Sequence, residues 1–156
     1  MTAALPPGRG AAWVWAQSVL MAAQLAAGPL LPATWHSPGS LVAGGVLFAL
    51  GGIIGVAGVV QLGRNRTPFP RPRPGSVLVR RGVYRWCRHP LYVSVLLASG
   101  GWALLFQSAA SLGLAAVLIP FFIAKARREE VWLRATFPDY ADYSRQVGPF
   151  FPRLRR

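Results

Sequence analysis

Apolar and polar positions fall into long separate blocks along this chain. Four apolar blocks stand out, at residues 11–31, 41–63, 91–106 and 108–124. The first carries Trp13, Trp15 and a late Pro29, and the second has no charged residue. A helix that crosses a bilayer takes roughly 20 residues, with about 17 at the short end. The first two blocks are long enough. The last two are short and meet at Gln107-Ser108, which predicts a tight helical hairpin. A buried hairpin that stops short of a full crossing is the competing arrangement. The second block also holds Gly44, Gly45, Gly51, Gly52, Gly55 and Gly58. Small residues at three- and four-residue spacing let helix backbones approach closely in lipid. The pattern predicts an all-α integral membrane bundle of about four transmembrane helices with a helical C-terminal tail.

Between the second and third blocks, "RNRTPFPRPRPGS" places four prolines between Pro68 and Pro74. They exclude regular helix and favour extended backbone, so a stiff connector is expected, with arginines that meet lipid phosphates. After the fourth block, "AKARREEVWLRATF" should extend the helix past the membrane. Pro138 should then open a further helix, "PDYADYSRQV", since proline suits a first helical turn. Phe137, Tyr140, Tyr143 and Val147 recur at helical spacing and predict an aromatic face turned to the core. "GPFFPRLRR" ends the chain, with Phe150 and Phe151 suited to the membrane interface. Residues 1–156 are expected to form one domain. It comprises two N-terminal spans (11–63), a basic connector (64–90), a hairpin (91–126) and a tail (127–156).

Charge sharpens this picture. The 156 residues are 53% hydrophobic, yet the formal net charge is +13. A basic balance suggests nucleic acid or an anionic membrane, and the apolar blocks decide for membrane and against nucleic acid. Arg9 precedes the first block, eight arginines lie between the second and third, and Lys125 with seven arginines follows the fourth. The other two connections have none. Four spans put every basic residue on one side, and three or five would scatter them. By the excess of basic residues on cytoplasmic loops, both termini are expected in the cytoplasm, in a cytoplasmic (inner) membrane. The N-terminus does not read as a cleaved signal peptide. Cys87 is the single cysteine, which excludes an internal disulfide and a cysteine-rich metal site. The four acids, Glu129, Glu130, Asp139 and Asp142, all fall within one short stretch. They either balance neighbouring arginines or mark a site.

The candidate chemistry begins at "RRGVYRWCRHPLYVSVLL", where dense charge gives way to apolar sequence. Pro90 is suited to open the third helix, and a helix N-terminus attracts anions. Arg88 and His89 add donors there, so a carboxylate or phosphate could bind. Lipid headgroups on Arg88 and a simple helix cap by His89 are the plainer alternative. A hairpin of the third and fourth blocks brings Arg88-His89 against Glu129-Glu130. One patch could hold an anion and the other a cation, or the two could lock together. Glu130 could also pair with Arg134 one turn on.

"GVYRWCRHPLY", a helical hairpin and then "REEVWLRATFPDYADYSRQVGPFFP" resemble the isoprenylcysteine carboxyl methyltransferase and phospholipid methyltransferase group. The resemblance covers about half the chain, residues 72–152. It implies a multi-span enzyme that uses S-adenosylmethionine in a cytoplasmic pocket and takes a lipophilic acceptor from the bilayer. Arg88 and His89 are then candidates for the cofactor carboxylate and for catalysis. Glu129 or Glu130 would take its ammonium or ribose hydroxyls. Tyr84, Tyr92, Tyr140 and Tyr143 would flank the adenine or sulfonium. His89 is the candidate base if the acceptor is an amine or hydroxyl. No metal is needed. Sterol-reductase-like enzymes share an Arg-His-Pro motif and a tyrosine-rich tail and use a reduced nicotinamide. There, Asn-Tyr and a nearby Gly-Glu usually follow, whereas here Leu91-Tyr92-Val93-Ser94 does. A non-enzymatic membrane protein of the same fold is the third reading. The acceptor, whether isoprenoid-linked carboxylate, phospholipid amine or thiol, is not legible, and neither is the oligomeric state.

Overall fold

The computed structural model describes residues 10–153; Arg9, Arg155 and Arg156, which enter the expected topology, lie outside the described residues. Five α-helices follow in order: α1 (Ala11–Leu30), α2 (Pro38–Leu62), α3 (Pro90–Leu105), α4 (Ala109–Thr136) and α5 (Tyr140–Gln146). Single 3-10 turns occupy Gly63–Asn65 and Gly82–Arg85. The expected all-α membrane bundle is what forms. Two segments are long and apolar enough to cross a membrane, Pro38–Asn65 and Ala109–Thr136. The 16 residues of α3 are apolar but shorter. Helix α1 is less apolar because it carries Gln17 and Gln24, and both point inward. Gln24 is almost fully buried and its amide donates to the Ser99 carbonyl and the Ser111 hydroxyl.

Helices α2 and α3 form the closest seam, and glycine makes it possible. A Cβ on Gly51 would lie 2.7 Å from the Ala98 nitrogen and the Ser94 oxygen. Gly44 and Gly101 meet the opposite backbone in the same way. Only one of the two glycine rows packs, however. Gly44, Gly51 and Gly58 are buried, whereas Gly45 and Gly52 meet no neighbour within 4 Å. Helix α4 packs against both α1 and α3.

The bundle has two unlike ends. At one, the loop over residues 31–37 meets the α3–α4 turn. Gln107 there has φ 53°, and its carbonyl accepts the Thr34 amide at 2.8 Å. Its side chain accepts the Ser37 amide at 3.0 Å. At the other end gather the connector, the charged extension of α4 and α5. Helix α4 runs unbroken from its apolar part through Glu129 and Glu130, as expected. Helix α5 starts two residues later than expected. Pro138 and Asp139 are the central pair of a turn closed by the Tyr140 amide on the Phe137 carbonyl, 3.0 Å. Proline at the first central position favours that turn over a helix start.

The candidate active site

Three pieces of backbone assemble the charged end. Pro90 opens α3, and His89 is the residue before it. The chain after α5 returns beside residues 87–89. Gly148 pairs with Cys87, and its carbonyl accepts the Arg88 amide at 2.9 Å. The Pro149 carbonyl takes the His89 amide at 3.0 Å. Gly148 is required at this crossing, because a Cβ would lie 2.0 Å from the Phe151 carbonyl oxygen. The helix end itself offers fewer donors than its sequence suggests. Pro90 has no N–H, and the Tyr92 and Val93 amides bond back to the His89 carbonyl.

The side chain of Arg88 is only 7% exposed, and its donors are engaged. Nε and Nη2 donate to Glu130 Oε1 at 2.9 and 2.6 Å. Nη1 donates to the carbonyls of Ser144 and Val147 at 2.9 and 2.6 Å. One guanidinium thus ties α3's entry to α4, α5 and the last loop. The planar fork suits this work, since a lysine has no such geometry. His89, also buried, sets Nε2 3.2 Å from Glu130 Oε1 and Nδ1 3.7 Å from Glu129 Oε2. Glu130 meets Arg134 as well, at 3.3 Å. The interhelical lock and the Glu130–Arg134 pair both form.

A cavity of about 240 Å³ opens beside this lock. Of the eight residues singled out in the sequence, seven line it: Tyr84, Arg88, His89, Tyr92, Glu129, Tyr140 and Tyr143. Glu130 lies behind them. Glu129 is therefore the acid that faces the cavity, and it accepts the Tyr92 hydroxyl at 2.6 Å. The Tyr92 ring stacks between His89 and Phe122, with centroids 5.3 and 4.9 Å away. The Tyr143 hydroxyl donates to the Tyr84 carbonyl at 2.6 Å. The Tyr140 hydroxyl is buried and has no partner among the described residues. Burial, followed by neighbouring carboxylates, pushes the Tyr84 and Tyr140 phenols well above their ordinary range, and burial does the same to Tyr143. All three remain neutral hydroxyls. Burial also pushes the Cys87 thiol up.

Other cavity residues were not foreseen. Lys125, the sole lysine, is buried one turn before Glu129. Its Nζ donates to Gln17 Oε1 at 2.5 Å and lies 5.5 Å from the Tyr92 ring centre. A single lysine inside an apolar helix was the available signal. The connector was expected as a stiff spacer, yet Pro68, Phe69, Pro70 and Pro72 form a wall of the cavity. Arg71 stacks over Trp132 at 5.0 Å. Among the described residues, no three His, Cys, Asp or Glu side chains converge as metal ligands would.

Comparison with known proteins places this arrangement. Residues 40–140 match the model of the family described as phospholipid methyltransferase. The cobalt-zinc-cadmium resistance protein CzcN of Cupriavidus metallidurans is 36% identical over 123 residues, covering 78% of this chain and 53% of that protein. The protein-S-isoprenylcysteine O-methyltransferase of Saccharomyces cerevisiae is 38% identical over 78 residues, 49% of this chain and 33% of the yeast protein. The chain thus spans about half the length of the first relative and a third of the second. A solved structure, the eukaryotic intramembrane Ras methyltransferase ICMT (isoprenylcysteine carboxyl methyltransferase), superposes with a TM-score of 0.68. That match covers 94% of this chain and 54% of the other at 22% identity, so it speaks to the fold. With this fold and a family match that runs from α2 to the first residue of α5, the chain belongs to the phospholipid methyltransferase family of membrane methyltransferases.

Proposed function

We propose that the chain is an S-adenosylmethionine-dependent methyltransferase acting on a lipophilic acceptor, with the cavity between α3, α4, α5 and the connector as its active site. The observation that carries this reading is the cavity itself, which brings Glu129, His89, Tyr84, Tyr92, Tyr140 and Tyr143 to one space beside the apolar helices. Glu129 supplies the negative charge for the ligand's ammonium or ribose hydroxyls. The Tyr84 and Tyr143 rings offer aromatic surface to a cation or an adenine, worth roughly 0.5–2 kcal/mol for the cation. When bound, S-adenosylmethionine supplies a methyl group already activated on a sulfonium.

Arg88 and Glu130 act by holding the walls in place, so their part is positioning. His89, with Nδ1 toward Glu129, is the base if the acceptor must lose a proton. Lys125 bears on the acceptor. A buried ammonium on the α4 wall, deeper toward the bundle than Glu129, favours an acceptor with negative charge, such as a carboxylate, over a cationic amine. The charged end lies in the cytoplasm and the membrane is the inner one, with the acceptor arriving from lipid. The test is labelled methyl transfer from S-adenosylmethionine into a lipid extract by the purified chain, followed by identification of the product. Incorporation into a lipophilic carboxylate is expected. No incorporation, together with no calorimetric binding of S-adenosylmethionine, overturns the reading.

A further inference from the structure

A second pocket, of about 460 Å³, lies just past the charged end of α2, lined by residues 63–66 and 73–76. Arg64, Arg66 and Arg73 surround it. Arg66 Nε donates to the Gly63 carbonyl at 2.9 Å. Arg73 Nη1 reaches the Arg64 and Arg66 carbonyls at 3.5 and 3.4 Å. These contacts orient the side chains and leave most of their N–H groups without a protein partner among the described residues. All four acids are engaged elsewhere. Glu129 holds Tyr92, Glu130 holds Arg88, Asp139 holds Arg80 and Asp142 holds Arg145. Three arginines around one pocket, with no carboxylate in its lining, suit an anion, and their planar forks match phosphate.

Helix α2 indicates which anion. Val42, Val46, Ile53, Val56 and Val60 are each more than half exposed. Their spacing places them along one face; α2 then ends at Leu62, and Gly63, at φ 52° and ψ −123°, turns the chain into the segment that carries Arg64. An apolar stripe therefore runs along α2 as far as Val60, three residues before the pocket begins at Gly63. A free phosphate would use only the pocket, whereas a phospholipid would use both. We infer that this groove binds one anionic phospholipid, with the phosphate between Arg64, Arg66 and Arg73 and the acyl chains along α2. The lipid is bound outside the cavity and is not the methyl acceptor. Asn65 and Ser76 line both spaces, Asn65 Oδ1 holds the Val77 amide at 3.1 Å, and the Ser76 hydroxyl is buried without a partner. The bound headgroup thus braces the partition between groove and cavity.

The test needs no methyl donor, so it stands apart from the catalytic reading. The full chain in neutral detergent is mixed with phosphatidylglycerol, phosphatidylcholine or inorganic phosphate. Retained lipid is read by native mass spectrometry and stability by melting temperature. The wild type should retain one phosphatidylglycerol in preference to phosphatidylcholine. Replacing Arg64, Arg66 and Arg73 together by Gln should weaken that retention roughly tenfold or more. Replacing Arg81, Arg85 and Arg127 by Gln, the same charge change elsewhere on this end, should leave it within about twofold. Equal losses from both triple variants, or equal retention of the two lipids by the wild type, overturn the proposal. Inorganic phosphate that raises the melting temperature as much as phosphatidylglycerol does overturns the lipid in favour of a free anion. A photoreactive phosphatidylglycerol gives an independent reading in the wild type. Crosslinks should map to residues 53–76, and crosslinks confined to other segments overturn the site.

Discussion

Glu129 turns its carboxylate to Tyr92 and the cavity, while Glu130 holds Arg88 and His89 behind it. The two acids should therefore fail in different ways. Glu129→Gln should weaken S-adenosylmethionine binding by about 10–150-fold, the worth of one charge-assisted hydrogen bond, with the melting temperature nearly unchanged. Glu130→Gln leaves a buried guanidinium without its counter-charge, which costs roughly 3 kcal/mol, so the melting temperature should drop clearly. Calorimetry and thermal melting of the two variants side by side separate the roles, and an exchange of the two phenotypes refutes the assignment. Arg88→Lys keeps the charge but cannot reproduce bonds to one carboxylate and two carbonyls. Its tail should loosen, so limited proteolysis should cut residues 137–150 several-fold faster than in the wild type. Lys125→Met should remove a preference for a negatively charged acceptor, lowering methyl transfer to a carboxylate by about tenfold while sparing cofactor affinity. Residue types at the site were legible because Arg, His, Tyr and Glu are rare inside apolar sequence. Which acid faces the cavity was not, since adjacent residues on a helix differ by about 100° and only the packing of α4 sets the origin of that angle.

At the scale of elements, the apolar blocks gave helix limits within a few residues because charge and proline bound them sharply. The α3–α4 hairpin brought Arg88 against Glu130 for the same reason, since its arms have nearly equal apolar lengths. The connector was a different matter. Its prolines exclude helix but do not say where an extended chain lies. Its course depends on single long-range contacts, Arg71 over Trp132 and Asn65 on Val77, which leave no periodic trace. The glycines of α2 were legible as packing residues, but the row that packs was not, because both rows have the same spacing. This yields a paired prediction. Gly51→Val should push α2 from α3 and destabilise the fold by about 1–3 kcal/mol. Gly52→Val, one residue on and open to lipid, should melt within a few tenths of a kcal/mol of the wild type. Thermal melting in a single detergent decides between them, and equal losses would refute the α2–α3 seam.

For the whole molecule, the two unlike ends lead to a topology that can be measured. His36 lies at the end held by Gln107, and Ala141 lies on exposed α5 at the other end. Single cysteines at these positions in a Cys87→Ser background should react with impermeant reagent from opposite sides of sealed vesicles. Reaction from the same side would exclude a four-helix crossing. The expected sidedness rests on basic residues that cluster in alternate connections, and this labelling is its test. The cavity itself was not, since it is a space between five segments distant in sequence. The Arg88 clamp has one more consequence, for biosynthesis. Its bonds reach Glu130, Ser144 and Val147, and its own amide waits for Gly148. The ribosome must therefore deliver Gly148 before the site can close. The apolar helices are all made while the nascent chain has no working centre, and a product that stops before Val147 should insert normally and remain inert.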